Sequence, residues 1–229
     1  MKINIDEALI NFTDKGYDFK DIECINVGKD SSVWKVVNND QQFALKLYKE
    51  NKQFASSRTL YQKYSRNRNY GKKLKTKGAR VNPNNIRWEF NLINDLKKDG
   101  ACLPSMFDYS GEALLMEYLG DKYRAPSLSN VVLSNTLALE LFEKILSSIE
   151  IFLSNGIVHS DLTTDNVLIW DNKPYIIDFP QALDTRTTKN FSPFLKRDID
   201  YMIIYFNTYL NFSPEDIEEI YKRFYVTKD

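Results

Sequence analysis

The sequence is poor in cysteine and histidine, carries no net charge and has no long apolar run. Its two cysteines, Cys24 and Cys102, lack the spacing of metal ligands. They read as buried thiols rather than a disulfide, which suits a reducing cytoplasm. Its one histidine, His159, reads by itself as structural. No stretch approaches the ~20 apolar residues of a membrane span, and Met1 to Ile10 is not a secretory signal. Lysine plus arginine and aspartate plus glutamate each number 31, giving a formal charge of zero. The distribution is far from even. Lys49 to Arg80 holds eleven Lys or Arg against one acid, Glu50, so that segment is +10 and the remainder −10. Such asymmetry concerns partners more than fold. What the chain does have is apolar and aromatic material: 43% hydrophobic residues, with 14 Tyr and 14 Phe in 229 residues. That is enough for one compact unit, or two small lobes sharing a cleft.

The chain is organised around Ile157 to Gln181, which contains H-S-D-x-x-x-x-N and, twelve residues after its asparagine, an aspartate closing an apolar run. A kinase catalytic loop needs this spacing. Asp161 is then beside an attacking hydroxyl to accept or orient its proton, and Asn166 turns back to a metal. Val167 to Trp170 and Tyr175 to Ile177 read as two short strands around an Asp171-Asn172-Lys173 turn. That hairpin delivers Asp178 to the same metal. Two hard oxygen ligands plus triphosphate oxygens is a usual way of holding magnesium. Asp and Asn beside a turn are also ordinary turn formers, so the reading depends on an upstream lysine and glutamate in the right order.

Both are present. After a short leading helix over Asp6 to Lys15, strands are expected at Ile22 to Val27, Val33 to Val37 and Gln42 to Tyr48. The turn Gly28-Lys29-Asp30-Ser31-Ser32 is a plain hairpin or a cover for ATP phosphates, with Ser31 and backbone N–H groups as donors. The kinase G-x-G-x-x-G pattern is absent. The third strand carries F-A-L-K, close to the kinase V-A-I-K. A strand lysine is usually a solvated edge residue, but Lys46, placed behind the glycine turn, is expected to face phosphates. Ala44 leaves room for an adenine ring beside Val33. Ile86 to Lys98 is an amphipathic helix from which Glu89 is expected to pair with Lys46. Strands at Leu103 to Tyr109 and Glu112 to Met116 lead into a hinge, M-E-Y-L-G, where Glu117 C=O and Leu119 N–H face the adenine edge. Residues 49–85 lack periodicity and read as a mobile insertion, a solvated linker or a contact for RNA or ribonucleoprotein through Tyr61, Tyr64, Tyr70 and the basic residues. Asn135 to Leu153 is the strongest helix, stopped at Gly156, and Phe194 to Leu210 is another. Ser213-Pro214-Glu215-Asp216 opens the last one.

The loop H-S-D-L-T-T-D-N, the strand I-I-D-F-P-Q and the helix F-L-K-R-D-I-D-Y-M resemble those of the RIO atypical protein kinases, over roughly Ile22 to Phe206. The G-K-D-S turn and the basic insertion before W-E-F-N-L-I are similar to that family too. The resemblance implies an α+β, two-lobed kinase-like fold: an antiparallel N-lobe over about 1–116, a hinge at 117–120 and a short helical C-lobe over about 121–229. It implies Asp161 and Lys46 as catalytic residues and Asn166 and Asp178 as ligands of Mg²⁺ or Mn²⁺. Gly28, Lys29, Ser31, Val33, Ala44, Lys46, Glu89, Met116, Glu117, Leu119 and Leu168 are then the ATP contacts. It further implies Ser/Thr phosphorylation or ATP hydrolysis linked to the small ribosomal subunit, with Ser56, Ser57, Thr59 and Ser65 as autophosphorylation candidates. With about twenty residues before the first strand, the winged-helix domain of one RIO branch is expected to be missing, although I-D-F-P-Q is typical of that branch. With fifty-one residues after Asp178, an activation loop and peptide-docking lobe are expected to be missing as well. Rival readings are the small kinase of the KEOPS tRNA-modification complex, an aminoglycoside-type small-molecule kinase, and a nucleotide-gated RNA-binding protein with little phosphotransfer.

Overall fold

The computed structural model describes residues 5–28, 31–49 and 83–225, with side chains from Ile86 onward in the last span. Lys29, the autophosphorylation candidates and most of the basic insertion lie outside the described residues. The chain forms two compact units, one of residues 1–95 and 104–124, the other of 96–103 and 125–229.

The first unit is a five-stranded antiparallel sheet: β1 (Lys20–Val27), β2 (Ser31–Asn38), β3 (Gln41–Tyr48), β4 (Met106–Ser110) and β5 (Ala113–Glu117), in the order β1-β2-β3-β5-β4. Asn39 and Asp40, at φ +49° and +60°, form the two-residue turn between β2 and β3, the left-handed pair that matches strand twist. The expected three-residue turn is therefore shorter, and Asn38 joins its strand, paired with Gln41. Helix α1 (Ile5–Thr13) closes with Gly16 at φ +91° and a bond from Tyr17 N–H to Phe12 C=O. Here the left-handed glycine lets the chain double back and satisfy a terminal carbonyl. Phe12, fully buried, meets Tyr17 and Phe19 edge-on at 5.5 and 5.7 Å. With Ala8 it packs against Phe43, Leu45 and Leu47 of β3 and Leu115 of β5. Alternation sends Ala44, Lys46 and Tyr48 to the other face, where Tyr48 packs with Ile86 and Phe90 of helix α2 (Pro83–Lys98). Because both faces are covered, Lys46 is buried rather than a solvated edge residue.

Cys24, expected to be buried, is exposed on the edge strand β1, whose residues are mostly open to solvent; Cys102 is partly buried. Glu117 to Arg124 group with the first unit because Glu117 pairs with Phe43, Gly120 bridges Arg124 and the Lys35 ammonium reaches Asp121 C=O at 3.1 Å. Residues 96–103 group with the second, where Cys102 N–H donates to Ser148 Oγ and Cys102 C=O accepts from Ile176 N–H. Both boundaries differ from the division at 116 and 121 read from the sequence.

The second unit is built on α3 (Asn135–Ser154) and α4 (Ser192–Leu210), with α5 (Pro214–Tyr225) beside them. Ser134 caps α3 by accepting from Leu137 N–H, and Leu141, Ile145, Ile149 and Phe152 form its buried stripe. The Arg223 guanidinium on α5 reaches Glu143 and Glu150 on α3. Two small ladders complete the unit: β6 (Ile157–Val158) with β9 (Leu183–Asp184), and β7 (Val167–Trp170) with β8 (Lys173–Ile176). Their hairpin turn is Asp171-Asn172, both left-handed, so Lys173 is in the strand and not the turn. Among the described residues, no helix is long and apolar enough to cross a membrane.

Candidate functional site

Each unit gathers its own set of the residues singled out in the sequence. In the first, register does the work. Paired residues on neighbouring strands share a face, and Val33 pairs with Lys46 while Ala44 pairs with both Lys35 and Met116. Val33, Ala44, Lys46 and Met116 therefore lie on the α2 side of the sheet. Glu89 on α2 is buried, with its Oε1 3.5 Å from Lys46 Nζ. The expected ion pair is present. A third member was not foreseen: Tyr48 Oη donates to Glu89 Oε2 at 2.5 Å, and Lys46 Nζ lies 4.9 Å from the Tyr48 ring centroid. Burial, then the Glu89 charge, pushes the Tyr48 hydroxyl well above its usual pKa, so it stays a donor. Tyr48 is two residues beyond Lys46 on one strand, and period-two alternation alone was the available signal.

Around that face, Ser31 C=O accepts from Gly28 N–H at 2.9 Å, and the Lys49 ammonium donates to Gly28 C=O. A Cβ on Gly28 would meet nothing closer than Ser31 O at 3.5 Å, so the backbone there does not itself demand glycine. In the expected hinge, Glu117 N–H donates to Ser105 C=O while Glu117 Oε2 accepts from Ser105 N–H, both at 2.8 Å. Leu119 is buried beyond it.

In the second unit the geometry is set by a loop clamped from below. His159 is buried between β6 and the loop; its Nε2 lies 3.0 Å from Ile177 O and its ring 4.6 Å from that of Phe179. Ser160 takes a left-handed conformation, φ +64°, which costs a non-glycine residue energy unless its surroundings hold it. Here they do. Ser160 N–H donates to Asp198 Oδ2 at 2.6 Å, Leu162 N–H to Asp198 Oδ1 at 3.1 Å, the Ser160 hydroxyl to Gln181 C=O, and the Arg197 guanidinium to Ser160 C=O. Arg197 and Asp198 were visible only as part of a helix motif, with no role. The readable signal was an acid at a core position of α4, between Leu195 and Ile199.

That clamp presents Asp161. Asn166 Nδ2 donates to Asp161 C=O at 2.8 Å, which commits the amide nitrogen and leaves Oδ1 as the acceptor. Ile177 N–H donates to Asn166 C=O at 2.9 Å, and Asp178 follows at φ +71°. The three expected oxygen donors are thus tied together through backbone bonds. Their electrostatics agree: burial raises the Asp161 carboxyl first, the Asp178 charge raises it further, and Arg197 opposes both. A carboxylate and an amide oxygen, such as those of Asp178 and Asn166, are hard donors of the kind that Mg²⁺ or Mn²⁺ prefers. Among the described residues, no group of three or more His, Cys, Asp or Glu is placed to hold a metal. Leu168 is buried on β7, opposite Tyr175 and bridged to Ser127.

Comparison with known proteins gives a consistent result. A family model of the RIO domain matches residues 32–220. A serine/threonine-protein kinase named rio1 from Schizosaccharomyces pombe is 27% identical over 87% of this chain and 40% of its own length. An archaeal RIO-type serine/threonine-protein kinase, Rio2 from Methanocaldococcus jannaschii, is 28% identical over 89% of this chain and 74% of its own. A probable bifunctional tRNA threonylcarbamoyladenosine biosynthesis protein from Methanosphaera stadtmanae is 27% identical over 59% of this chain and 24% of its own. Among solved structures, a kinase domain superposes with a TM-score of 0.52 at 14% identity, covering 74% of this chain and 52% of that one. This last likeness carries the fold: an α+β kinase-like architecture.

Proposed function

Since this chain belongs to the RIO-domain family, its RIO region spanning 32–220, we propose that it is an ATP-dependent serine/threonine kinase that also hydrolyses ATP. The observation that carries this reading is the clamped loop, where Asp161, Asn166 and Asp178 are tied together through Asp161 C=O and Ile177 N–H. Asp161 would orient the acceptor hydroxyl and take its proton. Asn166 Oδ1 and the Asp178 carboxylate would hold Mg²⁺ or Mn²⁺, which when bound neutralises charge on the phosphates. Lys46, steered by Glu89, is assigned to the phosphates, with Gly28, Lys29 and Ser31 as their cover. Val33, Ala44, Met116 and Leu168 are assigned to the adenine faces, and Glu117 C=O and Leu119 N–H to its edge. Such chemistry is positioning and charge stabilisation, with no covalent step required of the protein. The acceptor proposed is a protein or ribonucleoprotein of small-subunit maturation reached through the basic 49–85 segment, in the cytoplasm, with the chain's own Ser and Thr as a second acceptor.

The match to tRNA threonylcarbamoyladenosine biosynthesis proteins supports a second reading, an ATPase of tRNA modification. One experiment separates the two. Labelled ATP and Mg²⁺ are supplied with the protein alone, with small ribosomal subunits, or with tRNA-modification complexes. Label on the protein or on subunit components is the expected result. Stimulated hydrolysis with the tRNA complex and no label transfer would establish the second reading. If neither label transfer nor hydrolysis occurred under any condition, the kinase assignment would fall.

A further inference from the structure

Beside the charged sets already described, the second unit carries a run of polar side chains with a defined direction. Ser129 Oγ donates to Asp165 Oδ1 at 2.6 Å, which uses the one proton of that hydroxyl. In its 2.9 Å contact with Ser127 Oγ, Ser129 therefore accepts and Ser127 donates. Ser127 Oγ in turn accepts from Asn130 Nδ2 at 2.7 Å. The order Asn130, Ser127, Ser129, Asp165 is a series of donors ending on a carboxylate, and each bond polarises the next in the same sense. One end is firmly anchored. Leu128 is fully buried and its C=O accepts from Tyr205 Oη of α4 at 2.6 Å, while Asn130 N–H closes the turn on Ser127 C=O at 2.8 Å. The other end is weaker. Asp165 is exposed and belongs to a single 3₁₀ turn, Thr164–Asn166, to which the preceding Thr163 gives no side-chain cap. Segment 126–130 thus holds the chain on both sides of Asn166. Ser129 takes Asp165 before it, and beyond it Pro126 C=O accepts from Ile169 N–H at 2.9 Å while Ser127 bridges Leu168.

We propose that Ser129 and Asp165 are positioning residues for the divalent metal: their hydrogen bond fixes the turn that carries Asn166 and so keeps Asn166 Oδ1 aimed at the ion. The inference rests on the assignment of Asn166 to Mg²⁺ or Mn²⁺. The bond from Asn166 Nδ2 to Asp161 C=O orients the amide from the loop side. The Ser129 hydroxyl holds the same turn from segment 126–130. An exposed carboxylate adds little to the core, so its bond to Ser129 serves the placing of the next residue rather than packing.

The test uses the full chain with a non-hydrolysable ATP analogue and follows free Mn²⁺ by electron paramagnetic resonance, so that metal binding is read apart from turnover. Ser129→Ala should weaken Mn²⁺ binding by about ten-fold, the low end of what losing an outer partner of a metal ligand costs. Its affinity for the analogue in EDTA should stay at the wild-type value, whereas damage to the fold would lower both. Asp165→Ala should match Ser129→Ala, and the double variant should lose no more than either, because all three remove one bond. Asp165→Asn keeps an oxygen that accepts from Ser129 but removes the charge, and should retain most of the binding. Wild-type Mn²⁺ binding by Ser129→Ala, or losses that multiply in the double variant, would overturn the proposal. So would an Asp165→Asn protein as weak as Asp165→Ala, since Asp165 would then act through its charge. Should Ser129→Ala not fold, the two Asp165 variants decide by themselves. Asn166→Ala separates the underlying assignment. If it binds Mn²⁺ normally, Asn166 is not a ligand; if it does not and Ser129→Ala does, only the role of Ser129 and Asp165 is wrong.

Discussion

The two units place charged groups by opposite means. In the first, Lys46 and Tyr48 take their positions from strand alternation, on a central strand covered by α1 on one face and α2 on the other. In the second, Asp161 and Asp178 lie on irregular backbone, and left-handed Ser160 is held by bonds to Asp198 and Arg197 of α4 and to Gln181 C=O. The core beneath the sheet is packed apolar side chains, whereas the loop presents polar groups on backbone fixed by a few bonds. Variants should fail differently: loss of core packing in the first unit by lost stability, loss of a loop acid in the second by lost turnover while still folded.

The sharpest way to test that contrast is at the acids. Asp161→Ala should lower turnover by at least about a thousand-fold, the scale on which loss of a catalytic group is usually felt, with nucleotide affinity close to wild type. Asp178→Ala should instead abolish the metal-dependent part of nucleotide affinity, read by comparing binding with Mg²⁺ and with EDTA. Both proteins should melt near the wild-type temperature. A wild-type turnover in both would remove the assignment of the loop.

The opposite expectation applies to Phe12. Its ring is fully buried against the sheet and against Tyr17 and Phe19, so Phe12→Ala should cost about 3–5 kcal/mol of unfolding free energy. Measured by denaturant titration, the loss should come without any change in turnover per folded molecule. A large drop in turnover from a stable Phe12→Ala protein would erase the distinction between the two units.

How far each arrangement was legible follows from the same difference. Alternation is a local rule, so F-A-L-K was enough to place Ala44 and Lys46 on one face, and the glutamate of α2 could be matched to the lysine. The capped start of α5 and the β7–β8 hairpin were likewise written in short motifs. Asp198 was different. It is thirty-seven residues from Asp161 in the chain, and only the fold brings its carboxylate to two loop N–H groups. Tyr48 was missed although its strand was found, because a tyrosine on a buried face is usually packing material. The exposed Cys24 was misjudged because composition says nothing of which strand becomes an edge.

Asp198 also makes the loop clamp sensitive to pH. Burial raises its carboxyl from 3.8 to about 6, against the opposing pull of the Leu162 and Ser160 N–H groups and of Arg197. Its folded-state value exceeds its unfolded one, so the folded protein binds the extra proton between about pH 4 and 6. From this group alone, stability is greatest below that window, falls as pH rises through it, and is level above it. The change amounts to at most about 3 kcal/mol. Asp198→Asn should flatten the slope in unfolding titrations at pH 4.5, 5.5 and 7. It should also lower turnover at pH 7, since an amide accepts from one of the two N–H groups and opposes the other. An unchanged slope would show that Asp198 is not the group responsible.

The smallest effect is expected where neither unit's charged set is touched. At the start of α5, Ser213 Oγ accepts from Asp216 N–H at 3.1 Å, and Asp216 Oδ2 accepts from Ser213 N–H at 2.9 Å. This reciprocal pair satisfies two donors that a helix start leaves open. Backbone and hydroxyl bonds from Ser213 hold the Asp216 carboxyl below its usual pKa. Ser213→Ala removes the hydroxyl and should cost about 1 kcal/mol. The loss should appear as a small downward shift in the denaturant midpoint, with turnover unchanged. A fall in turnover here would mean that α5 contributes to the loop clamp as α4 does, because α5 is linked to α4 through Tyr221 and Asp200 and to α3 through Arg223. An unchanged turnover leaves Arg197 and Asp198 as the contacts through which the helices of the second unit act on the loop.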